Sequence, residues 1–340
     1  MPTRRWRPVL RCRQRWRSGS PGPATPHALL PLTCSLLARA HGDSAPAATC
    51  RRADLRASPP VTARRNRICR RRVVWEPVRV ATYLDRILEH HRERAAADSR
   101  STDALVQRCS SLAPPRGFRA ALAGSTRLAV IAEVKRRSPS KGDLFADLDP
   151  AELARTYESA GAACMSVLTD GPHFGGSPED LAAARHAVGL PVIRKDFTVS
   201  ANDVVDARLM GADAVLLIAA ALDDPELADF SVLARELGLG ALFEVHDEAE
   251  LERVMVLAGT DMVGVNQRDL VTFEVDTRRA VRVAAGIPDT VVKVAESGVR
   301  GRRDAEELAG AGYDAVLVGE HLVTAAEPAA AVAELAVQRQ

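Results

Sequence analysis

LMGADAVLLI, residues 209–218, decides the fold. It leaves a helical segment, passes Gly211 and enters an apolar run of strand length. The same phrase returns as SAGAACMSVL (159–168), LAGTDMVGVN (257–266) and GAGYDAVLVG (310–319). A helix commonly closes on a residue in the left-handed region, where glycine carries no Cβ penalty. Gly161, Gly211, Gly259 and Gly312 therefore mark helix ends, and a helix–glycine–strand unit repeats along the chain.

Working outward, apolar runs recur at 128–134, 164–168, 191–195, 213–219, 241–245, 262–266, 291–297 and 314–319. Between them lie segments with helix-start signals. Asp149-Pro150, Ser177-Pro178 and Asp224-Pro225 each set a capping side chain before a proline at the first helical position, and Asp247 precedes EAELERVMVLAG in the same way. Eight strands alternate with eight helices, the last being AAEPAAAVAELAV. Alternation implies parallel pairing, and near-continuous apolar strands imply burial on both faces. Eight units suit a closed (β/α)8 TIM barrel. The rival is an open doubly wound sheet, but the turn after the first strand has no GxGxxG and the eightfold count favours closure.

Upstream, ATYLDRILEHHRERAAA (81–97) carries an apolar stripe of Tyr83, Leu84, Ile87 and Leu88, so a helical extension precedes the barrel. Before it the composition changes. Residues 1–77 hold 17 Arg, no Lys and three acids, a net charge of +14, while the remainder carries −12. This segment has no sustained period, repels itself and buries little, so it reads as a disordered basic leader, with the catalytic domain at 78–340. A transit peptide or a nonspecific nucleic-acid arm would share its composition. The reading adopted is an upstream extension without selected structure, as a start assigned too early would give. Its four Cys are 22, 16 and 19 residues apart, which is not zinc-site spacing, and Cys109 and Cys164 suggest no disulfide framework. No apolar run nears the ~18 residues of a membrane span. The sequence thus points to a cytoplasmic protein without membrane or nucleic-acid partners, and to a monomer.

Charged and polar residues gather at the C-terminal ends of the strands: Glu133 and Lys135 at the first, Lys195 at the third, Glu244 in the fifth, Asn266 at the sixth, Glu296 and Ser297 at the seventh. Strand side chains alternate, so Glu133 and Lys135 point the same way. Singly these groups read as a rim ion pair, a solvated loop charge, a helix cap and a turn residue. Jointly they surround the mouth where barrels place their chemistry, and burying ionised groups there is costly unless they are paired. AESGV (295–299) and LVGEH (317–321) put Gly298 and Gly319 in loops after the last two strands, where barrels hold phosphate on backbone N–H groups. Ser138, in the turn after the first strand, adds a hydroxyl.

AEVKRRSPSKG (132–142), SVLTDGPHFGGS (166–177), RKDF (194–197), FEVHDE (243–248), GVNQRDL (264–270) and AESGV together resemble the indole-3-glycerol-phosphate synthase family, in its order and strand spacing, from about Val78 onward. The resemblance implies a carboxy-lyase of tryptophan biosynthesis that closes the ring of 1-(2-carboxyphenylamino)-1-deoxyribulose 5-phosphate with loss of CO2 and water, using no metal or organic cofactor. It implies Lys195 as the general acid at the substrate ketone. Lys135 would hold the substrate carboxylate and assist acid chemistry, and Glu244 would move a proton in dehydration. Glu133, Asn266 and Glu296 would orient the lysines and hydroxyls, and Ser138, Ser297, Gly298 and Gly319 would hold the phosphate. Ring closure onto a ketone develops negative charge on oxygen, which a nearby ammonium stabilises, and carboxylates keep lysines charged.

Phe145, Phe174 and Leu168 are candidates for an apolar slot for the anilino ring. The chain departs from the pattern at Gly319-Glu320-His321, where a carboxylate would repel phosphate; Glu320 is expected to point away and to contribute only its N–H. The alternatives are another phosphate-handling barrel, such as phosphoribosylanthranilate isomerase, or a non-catalytic barrel tethered to nucleic acid by the basic arm. The first strand offers no Cys for the Cys/Asp pair which that isomerase resembles.

Overall fold

The computed structural model describes residues 82–339, apart from 140, 270, 271 and 273, and the backbone of two strands, Trp6–Val9 and Val74–Pro77. Those two strands pair antiparallel, Trp6 against Pro77 and Val9 against Val74. The sequence reading expected no element there; the rest of the expected leader lies outside the described residues.

The eight apolar runs form strands β1 (Ala129–Val134), β2 (Cys164–Leu168), β3 (Val192–Lys195), β4 (Ala214–Ile218), β5 (Gly240–Val245), β6 (Met262–Asn266), β7 (Val292–Glu296) and β8 (Ala315–Val318). Every pairing is parallel and the sheet closes, β8 meeting β1 through Ala315–Ala129 and Val318–Ala132. The open-sheet alternative is thereby excluded. The register levels the strand ends that matter: Leu168 lies opposite Lys195, Ile218 opposite Glu244, and Asn266 opposite Glu296.

Three helices precede the barrel: α1 (Tyr83–Ala97), α2 (Thr102–Cys109) and α3 (Phe118–Leu122). Ile87 of the expected stripe is buried, and Tyr83, Leu84 and Leu88 pack against the core at partial burial. Polar contacts add to this docking. Arg92 pairs with Glu226 at 2.8 Å, Arg94 with Asp203 at 2.9 Å, and buried His91 with Asp170 at 2.8 Å. Leu105 and Cys109 of α2 pack on Val205.

The helices outside the barrel are α4 (Pro150–Ser159), the short α5 (Gly171–Phe174), α6 (Pro178–Ala187), α7 (Ala201–Leu209), α8 (Asp224–Glu236), α9 (Glu248–Met255), α10 (Thr277–Ala284), α11 (Arg302–Gly310), the short α12 (Glu320–Val323) and α13 (Pro328–Leu335). Asp149, Ser177 and Asp247 cap as expected. At α8 the cap is Asp223, not Asp224. Asp223 and Glu226 satisfy each other's backbone N–H in a capping box, which draws Asp224 into the first turn and leaves Pro225 behind it. Gly161, Gly211, Gly259 and Gly312 all have φ between +81° and +90°, the geometry that requires glycine.

Asp213, from the repeated glycine phrase, ties three segments together. It accepts from Arg116 N at 2.7 Å, Val192 N at 2.8 Å and Arg185 Nη2 at 2.8 Å, and is 1% exposed. Removing one partner of a buried ion pair costs about 3–5 kcal/mol. Asp213→Ala is therefore expected to lower unfolding free energy in urea by about that amount; a loss below about 1 kcal/mol would show that the network contributes little.

Candidate active site

The ten residues expected to take part in catalysis or to hold the phosphate all line one cavity of about 690 Å³ at the C-terminal mouth of the barrel. β1 delivers Glu133 and, one step past its end, Lys135, whose Nζ lies 2.7 Å from Glu133 Oε1. Ser166 of β2 donates to the other oxygen of Glu133 at 3.4 Å. β3 delivers Lys195, and its Nζ reaches Glu244 at 2.8 Å and Glu296 at 3.3 Å. Asn266 Nδ2 donates to the second oxygen of Glu244 at 2.9 Å. Two lysines and three carboxylates thus converge from strands that are distant in sequence.

Alternation along β3 explains why Lys195 is held so well. Its neighbour Arg194 is buried and donates to Asp196 at 2.7 Å, Thr169 Oγ1 at 3.0 Å and Asp203 O at 2.8 Å. Those bonds pin the backbone on either side of the lysine. Tyr157 of α4 likewise donates to Glu133 O at 3.3 Å.

Two glycines make room for the carboxylates. A Cβ on Gly264 would stand 2.1 Å from Glu296 Oε1, and one on Gly319 would stand 2.1 Å from Glu133 Oε1 and 3.0 Å from Lys135 Nζ. Gly319 thus has a packing function besides the expected phosphate contact, and Lys135 reaches the same end of the cavity.

The electrostatics divide the carboxylates. Burial pushes the Glu244 carboxyl up, but Lys195, His246 and Asn266 outweigh burial and hold it below the usual range. Glu296 goes the other way: burial and the neighbouring charge of Glu244 outweigh Lys195 and raise it. Burial opposes the charge on Lys195, yet Glu244, Glu296 and Glu133 together raise its pKa. Two carboxylates facing one ammonium cannot both ionise cheaply, so near neutral pH Glu244 is the anion and Glu296 keeps a proton.

The phosphate-binding candidates also converge. Among the described residues Ser297 alone, apart from glycines, has positive φ, at 65°, and Gly298 follows at 75°. A non-glycine residue in the left-handed region is strained, and Ser297 and Gly298 both line the cavity. Buried Gln267 donates to Ser297 O at 2.7 Å and holds the strained turn. Ser138 sits in a small hairpin, Arg137–Ser138 against Gly142–Asp143. Lys141, Arg268 and Arg300 also line this cavity. The sequence reading missed these cations, although Lys141 and Arg268 lie inside its own motifs.

Two expectations need correction. Phe145 is 46% exposed and does not line the cavity, whose apolar wall includes Leu168, Phe174, Phe197, Leu216 and Ile218. Glu320 does not point away from the cavity. It lines the rim, and Lys141 Nζ takes up its carboxylate, which removes the repulsion that a bare acid would present. Beside the apolar wall, His91, Asp170 and His173 bring three donor atoms within 4.8 Å of one another. Hydrogen bonds of 2.8 Å and 3.0 Å to the Asp170 carboxylate join the two imidazoles to it.

Two predictions follow from this geometry. Gly319→Ala forces the Glu133–Lys135 pair aside, and a displacement of about 1 Å can cost on the order of 10²-fold in rate; turnover should fall by that order with the circular dichroism unchanged. The raised carboxyl of Glu296 gives a stability slope. The unfolded chain ionises this group while the fold keeps it protonated, so its contribution is full below the unfolded pKa and is lost as pH rises toward the folded value. Glu296→Gln cannot ionise, so thermal unfolding should show a smaller loss of stability between about pH 5 and 8 than in wild type; parallel curves would contradict the assignment.

The sequence model of the indole-3-glycerol phosphate synthase family matches residues 84–335. An indole-3-glycerol phosphate synthase of Parafrankia sp. (strain EAN1pec) is 52% identical over 254 residues, covering 74% of this chain and 94% of that protein. The enzyme of the same description from Mycolicibacterium smegmatis is 49% identical over 257 residues, covering 75% of this chain and 94% of its own length. With a match across the whole barrel and α1, the chain belongs to the indole-3-glycerol phosphate synthase family.

Proposed function

We propose that the groups around this cavity divide the work of ring closure as follows. The activity is that of the family, a carboxy-lyase acting on a phosphorylated small molecule in tryptophan biosynthesis. Ser138, Ser297, Gly298 and Gly319 hold the phosphate of 1-(2-carboxyphenylamino)-1-deoxyribulose 5-phosphate, with Lys141 and Arg268 supplying charge. The anilino ring lies against Phe174, Phe197 and Leu168, and Lys135 holds its carboxylate.

Lys195 is the general acid. The ring carbon that bears the carboxylate attacks the ketone carbon, and the electron pair of the C=O bond moves to oxygen. Lys195 Nζ gives that oxygen a proton, CO2 leaves, and its bonding electrons restore the ring. Dehydration then expels the new hydroxyl as water. An acid must protonate it and a base must take the proton released as the indole forms. Glu244, the ionised member of the carboxylate pair, is that base. Glu133 and Asn266 orient Lys135 and Glu244, and protonated Glu296 donates to a substrate hydroxyl. Positioned proton donors contribute on the order of 10²–10⁴-fold each.

The observation that carries this reading is Lys195 between Glu244 and Glu296, at 2.8 Å and 3.3 Å, inside the cavity. No helix among the described residues is long and apolar enough to cross a membrane, and Cys109 and Cys164 are buried and free. A monomer in a reducing cytoplasm is the setting proposed.

The test is turnover of the carboxyphenylamino substrate by the full chain, followed through indole fluorescence. Lys195→Ala should lose about 10²–10⁴-fold in kcat while remaining folded. Turnover close to wild type in that variant removes Lys195 from the acid role.

A further inference from the structure

We propose that His246 is a positioning residue: through a proton on Nε2 it holds the Glu244 carboxylate in its working orientation. This rests on the base role given above to Glu244. His246 immediately follows β5, two residues from Glu244, so both side chains leave the extended chain on the same side. Its Nε2 lies 3.5 Å from Glu244 Oε1. On the far side, Nδ1 lies 3.1 Å from Glu250 Oε2, an oxygen that also accepts the backbone N–H of His246 at 2.8 Å.

This asymmetry fixes the tautomer. The ionised Glu250 carboxylate only accepts, so Nδ1 carries a proton in both charge states of the ring. The proton that comes and goes is therefore on Nε2, the atom facing Glu244. In the neutral ring Nε2 turns a lone pair toward a carboxylate oxygen, which is repulsive. In the imidazolium it turns an N–H, which is attractive. Nε2 is buried and has no hydrogen-bond partner in the resting geometry, so the short closing motion is open to it.

Glu244 is then gripped at both oxygens, by Lys195 on Oε2 and by Asn266 and His246 on Oε1. The other charged group bearing on His246 is Arg279, which opposes its charge. Burial also opposes it, but the hydrogen bond to Glu250 and the fields of Glu244 and Glu250 prevail, and its pKa is raised.

The experiment compares kcat against pH for wild type, His246→Ala and Glu250→Gln. Glu296 ionises in all three, so the readout is the ratio of wild type to variant. Below about pH 6, where the ring is charged, His246→Ala should be slower by about tenfold. The ratio should fall toward unity as pH rises and wild type loses the same proton. Glu250→Gln should shift that fall to lower pH by about one unit. A ratio constant with pH, or a fall that Glu250→Gln leaves in place, overturns the proposal.

Proton NMR titration of the His246 ring gives a second reading that needs no turnover. Its midpoint should lie above that of a free histidine and drop in both Glu250→Gln and Glu244→Gln. If Glu244→Gln leaves the midpoint where it was, the coupling does not exist. If the midpoint moves as expected but Glu244→Gln retains full turnover, the base role of Glu244 fails and the coupling stands.

Discussion

Lys195 set between two buried carboxylates is the constraint around which the rest is arranged. An ammonium cannot enter such a site unless anions compensate its lost hydration, and the anions cannot be there without it. Glu244 and Glu296 stand on β5 and β7, with Asn266 on β6 between them, so the lysine must reach across the barrel axis from β3. Closure of the sheet is what places these residues within 3.3 Å of one nitrogen. An open sheet would leave β3 and β7 too far apart. Fold and chemistry therefore depend on the same geometric fact.

One cation for two carboxylates also leaves a deficit, and the deficit is useful. It makes the two acids unequal, Glu244 held as the anion and Glu296 as the acid. A dehydration needs both a proton acceptor and a proton donor within one cavity. In the division of work proposed above, this inequality supplies them from two copies of the same residue type. The glycines serve this end directly. Gly264 and Gly319 lie where side chains would collide with Glu296 and Glu133, so their lack of a Cβ is what permits two carboxylates to sit so deep.

The barrel was legible in the sequence because its signals are local. The glycine after several helices, the capping Asp or Ser before several others and the apolar run of each strand are all readable within ten residues, and each run became a strand. The acidic and basic residues at the strand ends were legible for a related reason: a charge inside an apolar run conflicts with burial, and conflict draws notice. Lys141, Arg268 and His246 were missed because they stand in polar loop sequence, where a charge conflicts with nothing. Phe145 was misplaced for the converse reason. An aromatic in a loop has no period to say which side it faces, and Phe145 is exposed. The cap at Asp223 rather than Asp224 turned on a reciprocal bond with Glu226, a pairwise term that a single-residue preference does not contain.

The division of labour between the two sides of each strand end accounts for how the site stays ordered. Arg194 and Asp196 flank Lys195 and bind each other, Thr169 and the α7 start. Asp196 Oδ1 also lies 3.8 Å from His91 Nε2, and His91 in turn bonds Asp170. A chain of buried polar contacts thus runs from α1, under the ends of β2 and β3, to the residue next to the lysine. Most links have their partners, His91 Nδ1 being buried without one, and the contacts hold the backbone on both sides of Lys195. The N-terminal helix is therefore part of the scaffold of the reaction and not a cover added to a finished barrel. That explains why the polar contacts of α1, through His91, Arg92 and Arg94, all fall at the ends of strands or the starts of helices near the mouth.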